Sequence, residues 1–152
     1  QPAGYYRHLQ FPTRKDPQHT DERQYRRGVY VHWQRQFLHP MLKAFDAPSR
    51  EECTAERPRS NTPLASLVLL NDPVFVEAAR KLAERIQAEG GKTDGERLKF
   101  AYREAVSRQP DDTERKIMGE LFTSEGGAKN AEAAWTAVAR AILNLNETTS
   151  RN

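Results

Sequence analysis

The residues best suited to chemistry are three arginines, Arg50, Arg57 and Arg59, which lie just ahead of the helix start Asn61-Thr62-Pro63. A helix start offers free amide N–H groups and the positive end of the backbone dipole, and arginine forks bind carboxylate, sulfate or phosphate side-on. With Arg26, Arg27, His32, Arg35 and Asn61 as further donors, these residues form a candidate anion site. The matching ligand class is an acidic polysaccharide carrying sulfate or uronate. Acids are interleaved in the same stretch. Glu51, Glu52 and Glu56 are placed to pair with these arginines and close the segment as an internal clasp, the commoner fate of a charged loop.

Cys53 is the only cysteine, so an internal disulfide framework is excluded. Neighbouring arginines would favour its thiolate, with His32 or His39 as base, although a lone cysteine more often serves as a small buried apolar residue. The four histidines, His8, His19, His32 and His39, show neither the i, i+4 pairing nor the clustering of a metal site, and no Cys-x-x-Cys-His haem attachment occurs. No metal and no cofactor is therefore expected in this segment. Asp46 and Asp72 would make a carboxylate pair, but Asp72, following Asn71 and preceding Pro73, is more simply a helix cap. Basic and aromatic residues interleave from Arg23 to Lys43, and the sequence pI is about 9.1. Without a recognised motif, and with acids close by, that pattern does not make nucleic acid an expected partner. No pattern in these residues specifies a reaction.

The elements that must carry these residues differ between the two parts of the chain. Of 152 residues, 28 are Leu, Ile, Val or Phe, below the roughly 20% at which a packed core becomes hard to build. The shortage is local. Residues 1–60 hold 8 of the 28 and 8 of the 13 aromatics, with 11 basic against 7 acidic residues, whereas residues 61–152 hold 13 basic against 14 acidic. Residues 1–60 therefore read as a basic, aromatic extended or loop segment that packs on the helical part or on a partner. Residues 61–152 read as a helical bundle. No run approaches the 18 apolar residues of a membrane span.

The punctuation of the second part is clear. Asn61 or Thr62 caps a short helix beginning at Pro63, with Leu64, Leu67, Val68 and Leu70 inward, and Asn71-Asp72-Pro73 restarts the pattern. A second helix runs to about Glu89 with Phe75, Ala78, Ala79, Leu82 and Ile86 inward, and Gly90-Gly91 ends it. A third runs from about Gly95 to Arg108 on Leu98, Ala101, Tyr102 and Ala105. A fourth is capped by Asp111 and Asp112 and buries Ile117, Met118, Leu121 and Phe122; Gly126-Gly127 stops it. The fifth starts near Asn130 and presents Trp135, Val138, Ala139, Ile142 and Leu145, after which the polar tail from Asn146 should fray.

The first part lacks that period. Val29, Val31 and Trp33 alternate with Tyr30 and His32, which suggests a strand over Gly28 to Trp33, with a helix running on to Leu38 as the alternative. Prolines at 2, 12 and 17 argue for an extended arm over residues 1–24. Asp46 to Pro63 reads as a long loop with one helical turn after Ser49, where Glu52 completes a capping box. The expected fold is mainly α: a C-terminal bundle of four to five short helices, preceded by an extended or weakly β N-terminal segment.

Four separated motifs carry a family resemblance. They are Tyr25-Arg26-Arg27-Gly28-Val29-Tyr30-Val31-His32-Trp33-Gln34-Arg35, Phe45-Asp46-Ala47-Pro48-Ser49-Arg50-Glu51-Glu52-Cys53, the stretch from Asn61-Thr62-Pro63-Leu64 to Leu70-Asn71-Asp72-Pro73, and the closing Trp135-Thr136-Ala137-Val138-Ala139-Arg140 with Leu143-Asn144-Leu145-Asn146-Glu147. In these the sequence resembles the planctomycete-type domain of unknown function fifteen fifty-three, typically the C-terminal part of large exported proteins that also carry a cytochrome c-like domain. The resemblance implies a periplasmic or cell-surface location and a parent chain with more sequence upstream, in keeping with a start at Gln1 rather than Met. It implies haem c elsewhere in the parent, and as partner the upstream domain or another subunit. It supplies no catalytic residue.

Overall fold

The computed structural model describes residue 19 and residues 21–30, 38–48, 53–56 and 62–149. The chain divides into two compact units, Gln1–Pro58 and Arg59–Asn152. Among the described residues there are seven α-helices and no strands, so the protein is mainly α, as expected. The helices are α1 (Pro40–Ala44), α2 (Pro63–Asn71), α3 (Pro73–Glu89), α4 (Asp94–Val106), α5 (Asp112–Ser124), α6 (Ala131–Leu143) and α7 (Asn146–Thr149).

In the second unit the starts of α2, α3, α4 and α5 are each built by a side chain that accepts from the first free amides. The Thr62 hydroxyl accepts from the Ala65 N–H at 3.2 Å, and Asp72 Oδ1 accepts from the Val74 N–H at 2.9 Å, each with proline at the following position. Thr93 with Glu96, and Asp111 with Glu114, form reciprocal capping boxes at α4 and α5. Where one helix ends, the next begins within a few residues.

Small residues let the helices approach closely. The core joins Ala79, Ala83 and Ile86 of α3, Leu98, Ala101 and Tyr102 of α4, Met118 of α5, and Trp135, Val138, Ala139 and Ile142 of α6. Phe122 packs against Trp135, ring centroids 4.9 Å apart and tilted by 47°. Four expected inward positions are corrected. Leu64 and Leu67 of α2 and Ile117 of α5 are 59%, 57% and 54% exposed, and Ala78 is also exposed. Helix α2 is apolar around most of its circumference, so periodicity cannot select its buried face; Ala65 is its buried residue. Its end is held by Arg140 of α6, whose guanidinium donates to the Leu70 carbonyl.

The tail is also corrected. Residues 146–149, expected to fray, form α7, because Glu147 meets Arg108 and the Thr148 hydroxyl donates to the Ile142 carbonyl at 2.9 Å.

In the first unit the described segments are short turns and the one short helix α1. Asp21 caps a 3-10 turn over Glu22–Tyr25, and its carboxylate takes the Arg23 guanidinium fork at 2.6–3.0 Å, which holds the Asp21 carboxyl down at about 2. The strand expected over Gly28 to Trp33 is, in its described part Gly28–Tyr30, another 3-10 turn, closed by the Tyr30 N–H on the Arg27 carbonyl at 2.9 Å. Alternation alone makes no strand without a ladder partner, and among the described residues none is present. Helix α1 escaped the periodicity reading altogether. His39 caps it by accepting from the Met41 N–H through Nδ1, and Pro40 occupies its first position. A Schellman closure ends it, with Asp46 at φ 56° and the Ala47 N–H on the Leu42 carbonyl at 2.9 Å. The arm over residues 1–18 and the turn after Ser49 lie outside the described residues.

Candidate functional site

The candidate anion residues fall mostly outside the described segments. His32, Arg35, Arg50, Arg57, Arg59 and Asn61 are outside them; Arg26 and Arg27 are exposed between the two 3-10 turns. The caps at α2 and α3 are Thr62 and Asp72, while Asn71, the last residue of α2, turns its side-chain amide back to donate to the Leu67 carbonyl at 2.9 Å. Cys53 is exposed, contrary to the buried role expected of a lone cysteine, and Asp46 and His39 are engaged in ending and starting α1. Among the described residues no group of three His, Cys, Asp or Glu could hold a metal ion.

What the fold does assemble is a charged cluster at one end of the bundle, around Arg108 in the turn after α4. Its Nε and Nη2 donate to the Glu147 carboxylate at 2.8 and 3.1 Å, and its Nη1 and Nη2 to the Glu114 carboxylate at 2.7 and 2.6 Å. The remaining N–H, on Nη1, donates to the Gln109 carbonyl at 3.1 Å, so all five guanidinium donors are used. Glu114 is itself fixed by the α5 capping box, its Oε2 accepting from the Asp111 N–H at 2.8 Å. The guanidinium also lies 5.5 Å from the Tyr102 ring centroid.

Electrostatics follow from this packing. The Arg108 hydrogen bonds hold the Glu114 carboxyl below its ordinary range, and the two carboxylates hold Arg108 firmly charged. Tyr102 is 0% exposed, and its hydroxyl has no hydrogen-bond partner among the described residues. Burial first, then the Glu114 charge, push its ionisation up to about 12. Arg108 thus joins the α4–α5 turn, the start of α5 and α7. The sequence showed the Asp111 cap, but Arg108 and Glu147 are 39 residues apart and no spacing rule connects them.

The sign of the acid response follows. Because the Glu114 carboxyl lies lower in the folded chain than its ordinary 4.5, the unfolded chain takes up this proton first, and the stability it contributes is lost as pH falls below about 4.5. The urea midpoint should fall between pH 7 and pH 3, and Glu114→Gln should flatten that dependence; an equal slope in the variant would remove Glu114 as its source.

Among the described residues the surface offers shallow depressions and an apolar face on α2. A depression of about 330 Å³ lies beside the α3–α4 turn, lined by Glu89, Gly91, Lys99, Phe100 and Arg103, and one of about 400 Å³ is lined by Glu125, Glu132, Thr136 and Arg140. Both mix charges of opposite sign, and neither brings together a nucleophile and a base. The apolar face is formed by Leu64 and Leu67, one turn apart on α2, a helix of nine residues without a charge.

A family model described as "Protein of unknown function (DUF1553)", PSD1, matches residues 2–122. No curated protein and no solved structure matches the chain.

Proposed function

The chain belongs to the DUF1553 family of proteins of unknown function, and from that premise we propose that it is an accessory interaction module of a larger exported protein rather than the carrier of a reaction. The partner in this reading is the upstream domain of the parent or another subunit, at the periplasm or cell surface, with any haem c held elsewhere in the parent. That setting rests on the family resemblance.

The observation that carries the reading is the α2 face. Fully burying a leucine is worth about 1.5–3 kcal/mol, and Leu64 and Leu67 forgo most of that while their helix carries no charge to solvate it. Such a face is useful when an apolar partner surface covers it. The densely hydrogen-bonded Arg108 cluster, by comparison, leaves no donor free for a ligand.

The test is co-expression of the chain with the adjoining polypeptide of its parent. The wild-type chain should co-purify with it. The double variant Leu64→Asp, Leu67→Asp should lose the association while changing the stability of the isolated chain by no more than about 0.5 kcal/mol per site, as exposed positions do. Equal binding by the double variant would overturn the assignment to α2.

A further inference from the structure

Helix α7 differs from the rest of the bundle in how it is attached. It is four residues long and none of them is buried, so lifting it withdraws no side chain from the core. The Thr149 hydroxyl donates to the Asn146 carbonyl within the same turn, and that of Thr148 to the end of α6 at Ile142. Toward α4 it is joined through Glu147, whose half-exposed carboxylate sits on the Nε–Nη2 edge of Arg108.

We propose that α7 is a strap that opens without unfolding the bundle, with the Arg108–Glu147 pair as its latch. Both states satisfy Arg108. When the strap lifts, the guanidinium keeps three of its five hydrogen bonds, two to Glu114 and one to the Gln109 carbonyl, so no charge is stranded. A partly exposed, salt-screened pair of this kind is weak enough to break on its own. Opening frees a two-donor edge that binds carboxylates side-on, above the ring of Tyr102, whose buried hydroxyl has no hydrogen-bond partner among the described residues. In the closed state that edge is filled by the chain's own Glu147, which makes the strap a self-occupying contact.

Amide hydrogen exchange on the whole chain tests this. The Leu145 and Thr148 amides, bonded to the Ile142 and Leu145 carbonyls, should exchange faster than those of Val138 and Ile142 within α6. Glu147→Gln should speed exchange at Thr148 about two- to five-fold, the change expected from loss of an exposed ion pair, and leave α6 unchanged. Glu147→Lys, which places like charge against Arg108, should speed it further. Exchange at Thr148 as slow as in α6, or unaltered by both variants, would overturn the strap. Equal acceleration in α6 would also overturn it, since α7 would then open only with the bundle.

Discussion

Trp135→Ala should lower the unfolding free energy by about 3–5 kcal/mol, the largest loss expected from any single truncation among the described residues. Trp135 is 2% exposed at the centre of α6, packs on Phe122, and belongs to a core otherwise built largely from alanines and medium aliphatics. The core it belongs to is rich in alanine, Ala79, Ala83 and Ala139 among them, and alanines have no side chain with which to collapse into vacated space, so the cavity should persist. Domains of this size are stable by about 5–15 kcal/mol, and the variant would be marginal. Equilibrium urea denaturation followed by circular dichroism measures it. A loss under about 1 kcal/mol would mean that the packing of α6 on α5 through Trp135 and Phe122 does not carry the fold.

Gly90→Ala should be the second large effect, at about 1–3 kcal/mol. Gly90 ends α3 at an ordinary φ of −76°, so backbone strain is not its reason for being glycine. Space is: an added Cβ would stand 2.4 Å from the Ile86 carbonyl oxygen and 3.0 Å from Arg97 Cα, both backbone atoms that no rotamer change can move aside. Gly95 provides the contrast. It lies in the first turns of α4, a Cβ there would meet nothing within 4 Å, and Gly95→Ala should stabilise by up to about 1 kcal/mol through helix propensity. Thermal unfolding of the two variants side by side reads the difference; equal midpoints would refute the close approach of α3 to α4.

Local signals made the second unit largely legible. Thr62-Pro63, Asp72-Pro73, Asp111 and the glycines at 90–91 and 126–127 act within one helical turn, and the helices they delimit begin and end within one or two residues of expectation. The inward faces of α3, α4 and α6 followed from their period, Ala78 of α3 excepted, because each mixes apolar with charged residues. Helix α2 has nothing polar to define an outside, and its exposed leucines were misassigned for that reason. Helix α1 was missed because five residues are too few to show a period and its cap is a histidine. The candidate arginines fared differently: six of the eight anion candidates lie outside the described residues, and the cluster that is built stands elsewhere.

The shortage of aliphatic residues, the helical texture after residue 61 and the family were determined by the sequence itself, since composition, caps and motifs act over short distances along the chain. Tertiary structure decided which apolar residues stay uncovered and which charges meet. Arg108 finds Glu114 and Glu147 only because α4, α5 and α7 converge at one end of the bundle, and a contact across 39 residues depends on how the helices pack, which no local rule encodes.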